Sequence, residues 1–164
     1  MKLYIMRHAW AAKPSETDWP DDELRPLTGE GRRRFAQVVK KLSARGVQPG
    51  AIAASPLTRC LQTAEILADG LPNKPEIVAL DRLRPGSDLE GLLNWTSLRA
   101  QTVEEIAWVG HAPDVGWLTA ATIGMENGAI HFPKGAAACV RFDGPIAKGA
   151  GELRWLVTAK MLGC

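Results

Sequence analysis

The sequence has few cysteines and no long apolar run, and both shortages narrow the class of protein. Its three cysteines, Cys60, Cys139 and Cys164, match no metal-ligand spacing, so we expect reduced thiols in a reducing compartment. Arg7 and His8 interrupt the N-terminal apolar segment, so a secretory signal peptide is not expected. No apolar stretch approaches the ~20 residues that cross a bilayer, and a cytoplasmic location with no membrane partner is expected.

An excess of charge of one sign is also missing. Lys and Arg number 20 against 18 Asp and Glu, giving a net charge of +2. This balance argues against binding nucleic acid or a membrane surface through bulk charge. A hydrophobic content of 46% is typical of a globular protein, and 164 residues fit one domain, so a single domain over 1–164 is expected.

Short apolar segments alternate with segments of helical periodicity, which predicts an α/β fold. Strands are predicted at 3–6, 51–54, 77–80 and 105–109, followed by a C-terminal antiparallel hairpin at 136–142 and 153–159. Helices are predicted after the N-cap Thr28, from Ser55-Pro56 as cap and first-turn proline, after Gly86-Ser87, and from Pro113. This alternation favours a three-layer α/β/α sandwich with a mainly parallel sheet.

Cationic side chains follow three of the predicted strands. Arg7 and His8 follow the first strand, Arg59 lies in the first helical turn after the second, and His111 follows the fourth. Ligands bind at the carboxyl edge of open α/β sheets, so these four side chains are candidates for one site. Taken alone, Arg7-His8 is equally compatible with a polar strand end. Together, four cationic or titratable groups suit an anion, and a phosphoryl group above all.

Two common means of phosphoryl transfer are absent from the sequence. It has no glycine-rich phosphate loop and no cluster of carboxylates for magnesium. A metal-free reaction through a phosphorylated histidine is the chemistry that the remaining residues can support, since a neutral imidazole is a nucleophile near neutral pH.

The motifs resemble those of the histidine phosphatase superfamily, and in particular its short phosphohistidine phosphatase branch. They are Arg7-His8, Leu27-Thr28-Gly29-Glu30-Gly31, Ser55-Pro56-Leu57-Thr58-Arg59 with Gln62-Thr63-Ala64, and Gly110-His111, in the family's order. The resemblance implies a phosphoglycerate mutase-like fold and no metal or other cofactor. It also implies that His8 is the nucleophile, with Arg7, Arg59 and His111 around the phosphoryl oxygens.

The sequence departs from the family pattern at two motif positions and in its proton donor. Ala9 replaces the usual glycine after His8, and Cys60 replaces a usual alanine. The family's glutamate after the third strand has no clear counterpart. Asp81 and Asp18 are the candidate donors, with Asp21, Asp22 and Asp88 as further acids in the same regions. A missing acid suits an imidazole leaving group, which needs less protonation than an alkoxide does.

We therefore expect a phosphatase that hydrolyses phosphohistidine on a partner protein through a phospho-His8 intermediate. A phosphatase for a small phosphomonoester and a non-catalytic phosphate-binding module remain the alternatives. His131 is expected to lie outside the site, and the chain is expected to be a monomer or weak dimer.

Overall fold

The computed structural model describes residues 1–126 and 130–164 as six strands, four α-helices and two short 3-10 helices. The strands are β1 (Lys2–Arg7), β2 (Ala51–Ala54), β3 (Glu76–Ala79), β4 (Glu105–Gly110), β5 (Ala137–Arg141) and β6 (Glu152–Val157). The helices are α1 (Gly29–Ser43), α2 (Thr58–Asp69), α3 (Leu89–Arg99) and α4 (Asp114–Thr122). The 3-10 helices are Asp22–Leu24 and Asp81–Leu83.

All six strands form one sheet in the order β3-β2-β4-β1-β5-β6. Strands β1 to β4 are parallel, whereas β5 runs antiparallel to both β1 and β6. The predicted mainly parallel sheet with a C-terminal antiparallel pair is thereby confirmed. Strand β2 has the sequence Ala-Ile-Ala-Ala and is buried throughout, as expected for a strand covered on both faces.

Helices cover both faces of this sheet, which confirms the three-layer α/β/α sandwich. On one face, Phe35, Val38 and Val39 of α1 pack with Leu67 of α2 against the sheet. The opposite face carries α3 and α4, packed around the buried Trp108 of β4. The indole N–H of Trp108 donates to the hydroxyl oxygen of Thr96 at 3.0 Å, so the largest core side chain has no unsatisfied polar group.

Two local predictions at helix starts had different outcomes. Thr28 caps α1 as predicted, because its hydroxyl oxygen accepts the Gly31 N–H at 2.9 Å. The predicted Ser55 cap of α2 is wrong, since α2 begins at Thr58 and its N-cap position is Leu57, without a side-chain cap.

Strand β3 begins and ends one residue before the predicted 77–80. Within the described ranges, no helix has the length and apolar character needed to cross a membrane.

Candidate active site

Strand register brings the predicted site residues to one edge of the sheet. Arg7 at the end of β1 pairs with Gly110 at the end of β4, and Ala54 of β2 pairs with Val109. The next residue of each strand therefore emerges at the same carboxyl edge. The rings of His8 and His111 meet there edge-on, with centroids 5.5 Å apart and an interplanar angle of 60°.

His8 is held as a neutral imidazole with one defined free nitrogen. Its Nδ1 lies 2.7 Å from the carbonyl oxygen of Ala9, and because a carbonyl can only accept, Nδ1 carries the proton. The lone pair is therefore on Nε2. Burial lowers the pKa of His8 to about 3. The charges of His111, Arg59 and Arg7 lower this pKa further, whereas the hydrogen bond to Ala9 raises it.

His111 is also buried and neutral. Its Nε2 lies 2.8 Å from the hydroxyl oxygen of Ser55, and burial together with the positive charge of Arg59 lowers its pKa to about 4. When the Ser55 hydroxyl donates to Nε2, the proton of His111 lies on Nδ1, which is then available as a hydrogen-bond donor. The Cys60 sulfur is 3.5 Å from the same Nε2, and burial raises the pKa of this thiol to about 12.

Both arginines have one buried N–H without a partner. Arg7 donates from Nη1 to the carbonyl oxygen of Phe132 at 2.7 Å. Arg59 holds Asp22 with Nη1 on its carbonyl oxygen at 2.8 Å and Nη2 on its carboxylate at 3.1 Å. The Nε–H groups of Arg7 and Arg59 are buried and donate to no acceptor among the described residues. Burial also lowers the pKa of each guanidinium.

The candidate proton donors are placed as follows. Asp81 is exposed and accepts from Arg84 Nε at 2.8 Å, and Asp18 is exposed with its own N–H on the Ser15 hydroxyl at 3.0 Å. Asp21 and Asp88 accept backbone N–H groups as N-caps of the first 3-10 helix and of α3. None of these four carboxylates is recorded in a hydrogen bond or ion pair with Arg7, His8, Arg59 or His111 in the described structure.

Asp22 is the acid that the structure brings to the site. A hydrogen bond from Arg25 lowers the pKa of this carboxyl, and so does the positive charge of Arg59, whereas desolvation raises it. The net effect is a lowered pKa. It is therefore an ionised partner of Arg59 rather than a proton donor at neutral pH. Among residues 1–126 and 130–164, no group of three or more His, Cys, Asp or Glu side chains is arranged to hold a metal ion.

Thr63 connects the loop after β1 to α2, a role that sequence reasoning missed. Its hydroxyl oxygen accepts the N–H of Ala9 at 3.0 Å, while the hydroxyl donates to the carbonyl oxygen of Arg59 at 2.6 Å. Ala9 itself is buried and is not among the residues with a positive φ, so its methyl group causes no backbone strain. The signal for Thr63 was its place in the Gln62-Thr63-Ala64 motif.

His131 shares a cavity with one residue of the candidate site. It is exposed in the segment before β5 and lines a cavity of about 600 Å³ whose wall also includes Arg7. Trp117 of α4, half exposed at 50%, is on the same wall. That His131 lies outside the site stays a prediction, although it lines the same cavity as Arg7.

Known proteins match both the sequence and this fold. A sequence profile of the histidine phosphatase superfamily (branch 1) matches residues 3–127. The phosphohistidine phosphatase SixA of Escherichia coli K12 is 33% identical over 160 residues, covering 94% of this chain and 92% of SixA. An uncharacterized protein of Picosynechococcus is 35% identical over 137 residues, or 82% and 81% of the two chains. A structure of the protein histidine phosphatase SixA complexed with tungstate superposes with a TM-score of 0.86 over 99% of each chain, at 26% identity.

Proposed function

Since the chain belongs to the histidine phosphatase superfamily, in the SixA-like branch, we propose that this phosphatase hydrolyses phosphohistidine on a partner protein through phospho-His8. One observation carries the proposal: two neutral imidazoles lie beside two arginines whose Nε–H groups are buried without acceptors. Each unsatisfied buried donor costs about 1–3 kcal/mol. A phosphoryl group supplies acceptors for both donors and would offset that cost.

In the first step, Nε2 of His8 attacks phosphorus. Its lone pair forms a new P–N bond while the bond from phosphorus to the leaving group breaks, and that electron pair departs with the leaving group. Arg7 and Arg59 balance the charge of the equatorial oxygens, and Nδ1–H of His111 donates to one of them. The Nδ1–H bond of His8 to Ala9 stabilises the positive charge that the ring acquires.

In the second step, water attacks the phosphorus of phospho-His8. The P–N bond breaks, its electron pair returns to Nε2, and inorganic phosphate leaves with the oxygen of that water. Transfer to His8 and then to water divides one difficult displacement into two easier ones. The hydroxyl of Ser55 and the Nδ1 bond of His8 keep both rings oriented throughout.

The state of the acidic side chains favours phosphohistidine over an alkyl phosphate. Asp22 is held ionised by Arg25 and Arg59, and Asp81 and Asp18 are exposed without a recorded bond to the site. An alkoxide leaving group needs a strong proton donor, whereas an imidazole leaves as a neutral molecule once its other nitrogen carries a proton. The two similar SixA proteins, named for phosphohistidine and protein histidine, support the same choice.

The test is to trap the phosphorylated enzyme. Rapid quenching with a protein carrying [³²P]phosphohistidine should give labelled wild-type chain at His8 and no label on a folded His8→Ala variant, which we expect to lose turnover. Lys134→Gln, an exposed change outside these contacts, serves as the control. Label on His8→Ala would refute the assigned nucleophile. Phosphate binding without label would favour a binding module, and turnover of small esters alone would favour a phosphomonoesterase.

A cytoplasmic location, one domain over 1–164 and a monomeric or weakly dimeric state stay predictions.

A further inference from the structure

The cavity beside Arg7 has the size and the chemistry of a ligand pocket. Its volume of about 600 Å³ falls within the range of small-molecule sites. Arg7 lines it on one side, Trp117 and Ile130 supply apolar surface, and His131 is the other titratable side chain of its wall. None of the described residues that line the cavity is a carboxylate, which suits a ligand that carries a phosphoryl anion.

This cavity adjoins the catalytic site at Arg7 and next to His111. Arg7 belongs to both, since its Nε–H is one of the two unpartnered donors of the site and its Nη1 donates to the carbonyl oxygen of Phe132 in the cavity wall. Ala112 and Pro113, which follow His111, form another part of the wall. A phosphoryl group on Arg7 therefore has this cavity next to it.

We propose that this cavity, the leaving-group pocket, holds the imidazole ring of the substrate phosphohistidine. Trp117 contacts the face of that ring, and His131 donates a proton to its nitrogen that does not carry phosphorus. The inference rests on the proposed function and names the side chains that recognise and protonate the leaving group. It assigns His131 the proton donation that no carboxylate of the described site supplies.

The transfer forms one bond to phosphorus and breaks another. Nε2 of His8 forms its bond to phosphorus, and the P–N bond of the substrate breaks with its electron pair staying on the departing ring nitrogen. The proton that His131 has given to the distal nitrogen makes the departing ring neutral imidazole instead of an anion. His131 then regains a proton from solvent, to which it is exposed.

A second cavity provides a contrast. It has a volume of about 760 Å³ and lies at the opposite edge of the sheet, where Lys2 and Glu105 begin β1 and β4. The Glu105 carboxylate there already binds Lys2 Nζ at 2.7 Å and the hydroxyl of Tyr4 at 2.7 Å. The Lys2, Tyr4 and Glu105 side chains there have partners within the protein, whereas the leaving-group pocket shares the unsatisfied Nε–H of Arg7.

The test compares a substrate that has a ring with one that lacks it. Free phosphohistidine and inorganic phosphoramidate both contain a P–N bond, but only phosphohistidine can use the leaving-group pocket. We expect His131→Gln to lower kcat for phosphohistidine at least about tenfold and to leave phosphoramidate hydrolysis within about twofold of wild type. Trp117→Leu should raise KM for phosphohistidine about two- to tenfold. Trp117→Phe keeps an aromatic ring and should give a KM close to that of wild type.

Lys134→Gln, an exposed change in the segment of His131 but outside the pocket wall, should leave both substrates unaffected. Equal losses with both substrates, or no loss with either, would overturn the role of His131. A wild-type enzyme that hydrolyses neither P–N compound and takes no label at His8 from a phosphohistidine protein would refute the proposed function itself, and the inference with it. These two failures are therefore distinguishable.

Discussion

The reactive nitrogen of His8 is selected by the residue that follows it. The Ala9 carbonyl fixes the proton on Nδ1, and the Ala9 N–H is bound to the hydroxyl oxygen of Thr63 at 3.0 Å. Both backbone groups of one residue thus orient the nucleophile. Because these contacts use only the backbone, the side chain at position 9 is free to differ from glycine.

Ala9→Gly restores the residue usual in the family and tests whether the methyl group affects catalysis. Ala9 is buried and has no positive φ, so the backbone does not need the conformational freedom of glycine at this position. The substitution also removes the packing contacts of the buried methyl group. We expect the free energy of unfolding to fall by about 1 kcal/mol, with kcat within about twofold of wild type. Urea denaturation and steady-state kinetics measure the two quantities. A severalfold rise in kcat would show that the methyl group does hinder His8.

Ser55→Ala should lower kcat about tenfold while the fold persists, because Nε2 of His111 loses the hydroxyl that lies 2.8 Å away and fixes its tautomer. Turnover of a phosphohistidine protein measures the effect. Ser97→Ala is the matched control, since Ser97 is exposed on α3 and its hydroxyl only donates to the Leu93 carbonyl oxygen. Unchanged kcat in Ser55→Ala would mean that His111 needs no such partner.

At the residue scale, the sequence was sufficient to nominate Arg7, His8, Arg59 and His111, because each lies at the end of a recognisable strand or in the first turn of the helix after it. The role of Ser55 could not be predicted in this way. Its partner lies 56 residues away, and the local Ser-Pro pattern indicated a helix cap. Asp22 was one of several loop acids, and only the tertiary contact with Arg59 separates it from Asp18.

At the element scale, α2 carries Arg59 into the site and is tied to the loop after β1. Periodicity and turn residues predicted the strands and helices, because those signals are local. The strand order β3-β2-β4-β1 is set by long-range packing, and the sequence pattern did not specify it. That order inserts β4 between β2 and β1, which is how His111 comes to lie between Ser55 and His8.

Thr63→Val removes the hydroxyl that joins α2 to the β1 loop. The Ala9 N–H would lose its acceptor while staying buried, which costs about 1–3 kcal/mol in unfolding free energy. We also expect kcat to fall, since His8 and Arg59 are no longer held together. Thr119→Val is a matched buried control in α4, because that hydroxyl only donates to the Val115 carbonyl of its own helix. Equal losses of kcat and of unfolding free energy in the two variants would mean that the hydrogen bond between Thr63 and the β1 loop contributes no more than an ordinary buried hydroxyl.

At the scale of the whole molecule, the packed layers keep two histidines neutral inside a cationic site. His8 is 7% exposed and His111 5% exposed, and burial is the largest cause of the lowered pKa of each. Neutral His8 can therefore attack across the physiological pH range. The same burial makes the stability of the fold depend on pH, because below about pH 6.5 the two histidines bind protons in the unfolded chain but stay neutral in the folded one.

The pKa values of about 3 for His8 and about 4 for His111 lie below the ordinary 6.5, which sets the direction of this dependence. Stability is fully present above pH 6.5 and is lost as the pH falls toward 4, because the unfolded state then binds more protons. Between pH 7 and 5 we expect each histidine to remove about 2 kcal/mol from the free energy of unfolding. Urea titrations at the two pH values measure this loss, and the lowered carboxyl pKa of Asp22 acts only in more acidic solution. The double variant His8→Gln with His111→Gln should be less dependent on pH over this interval. An equally steep loss in that variant would place the responsible groups elsewhere in the chain.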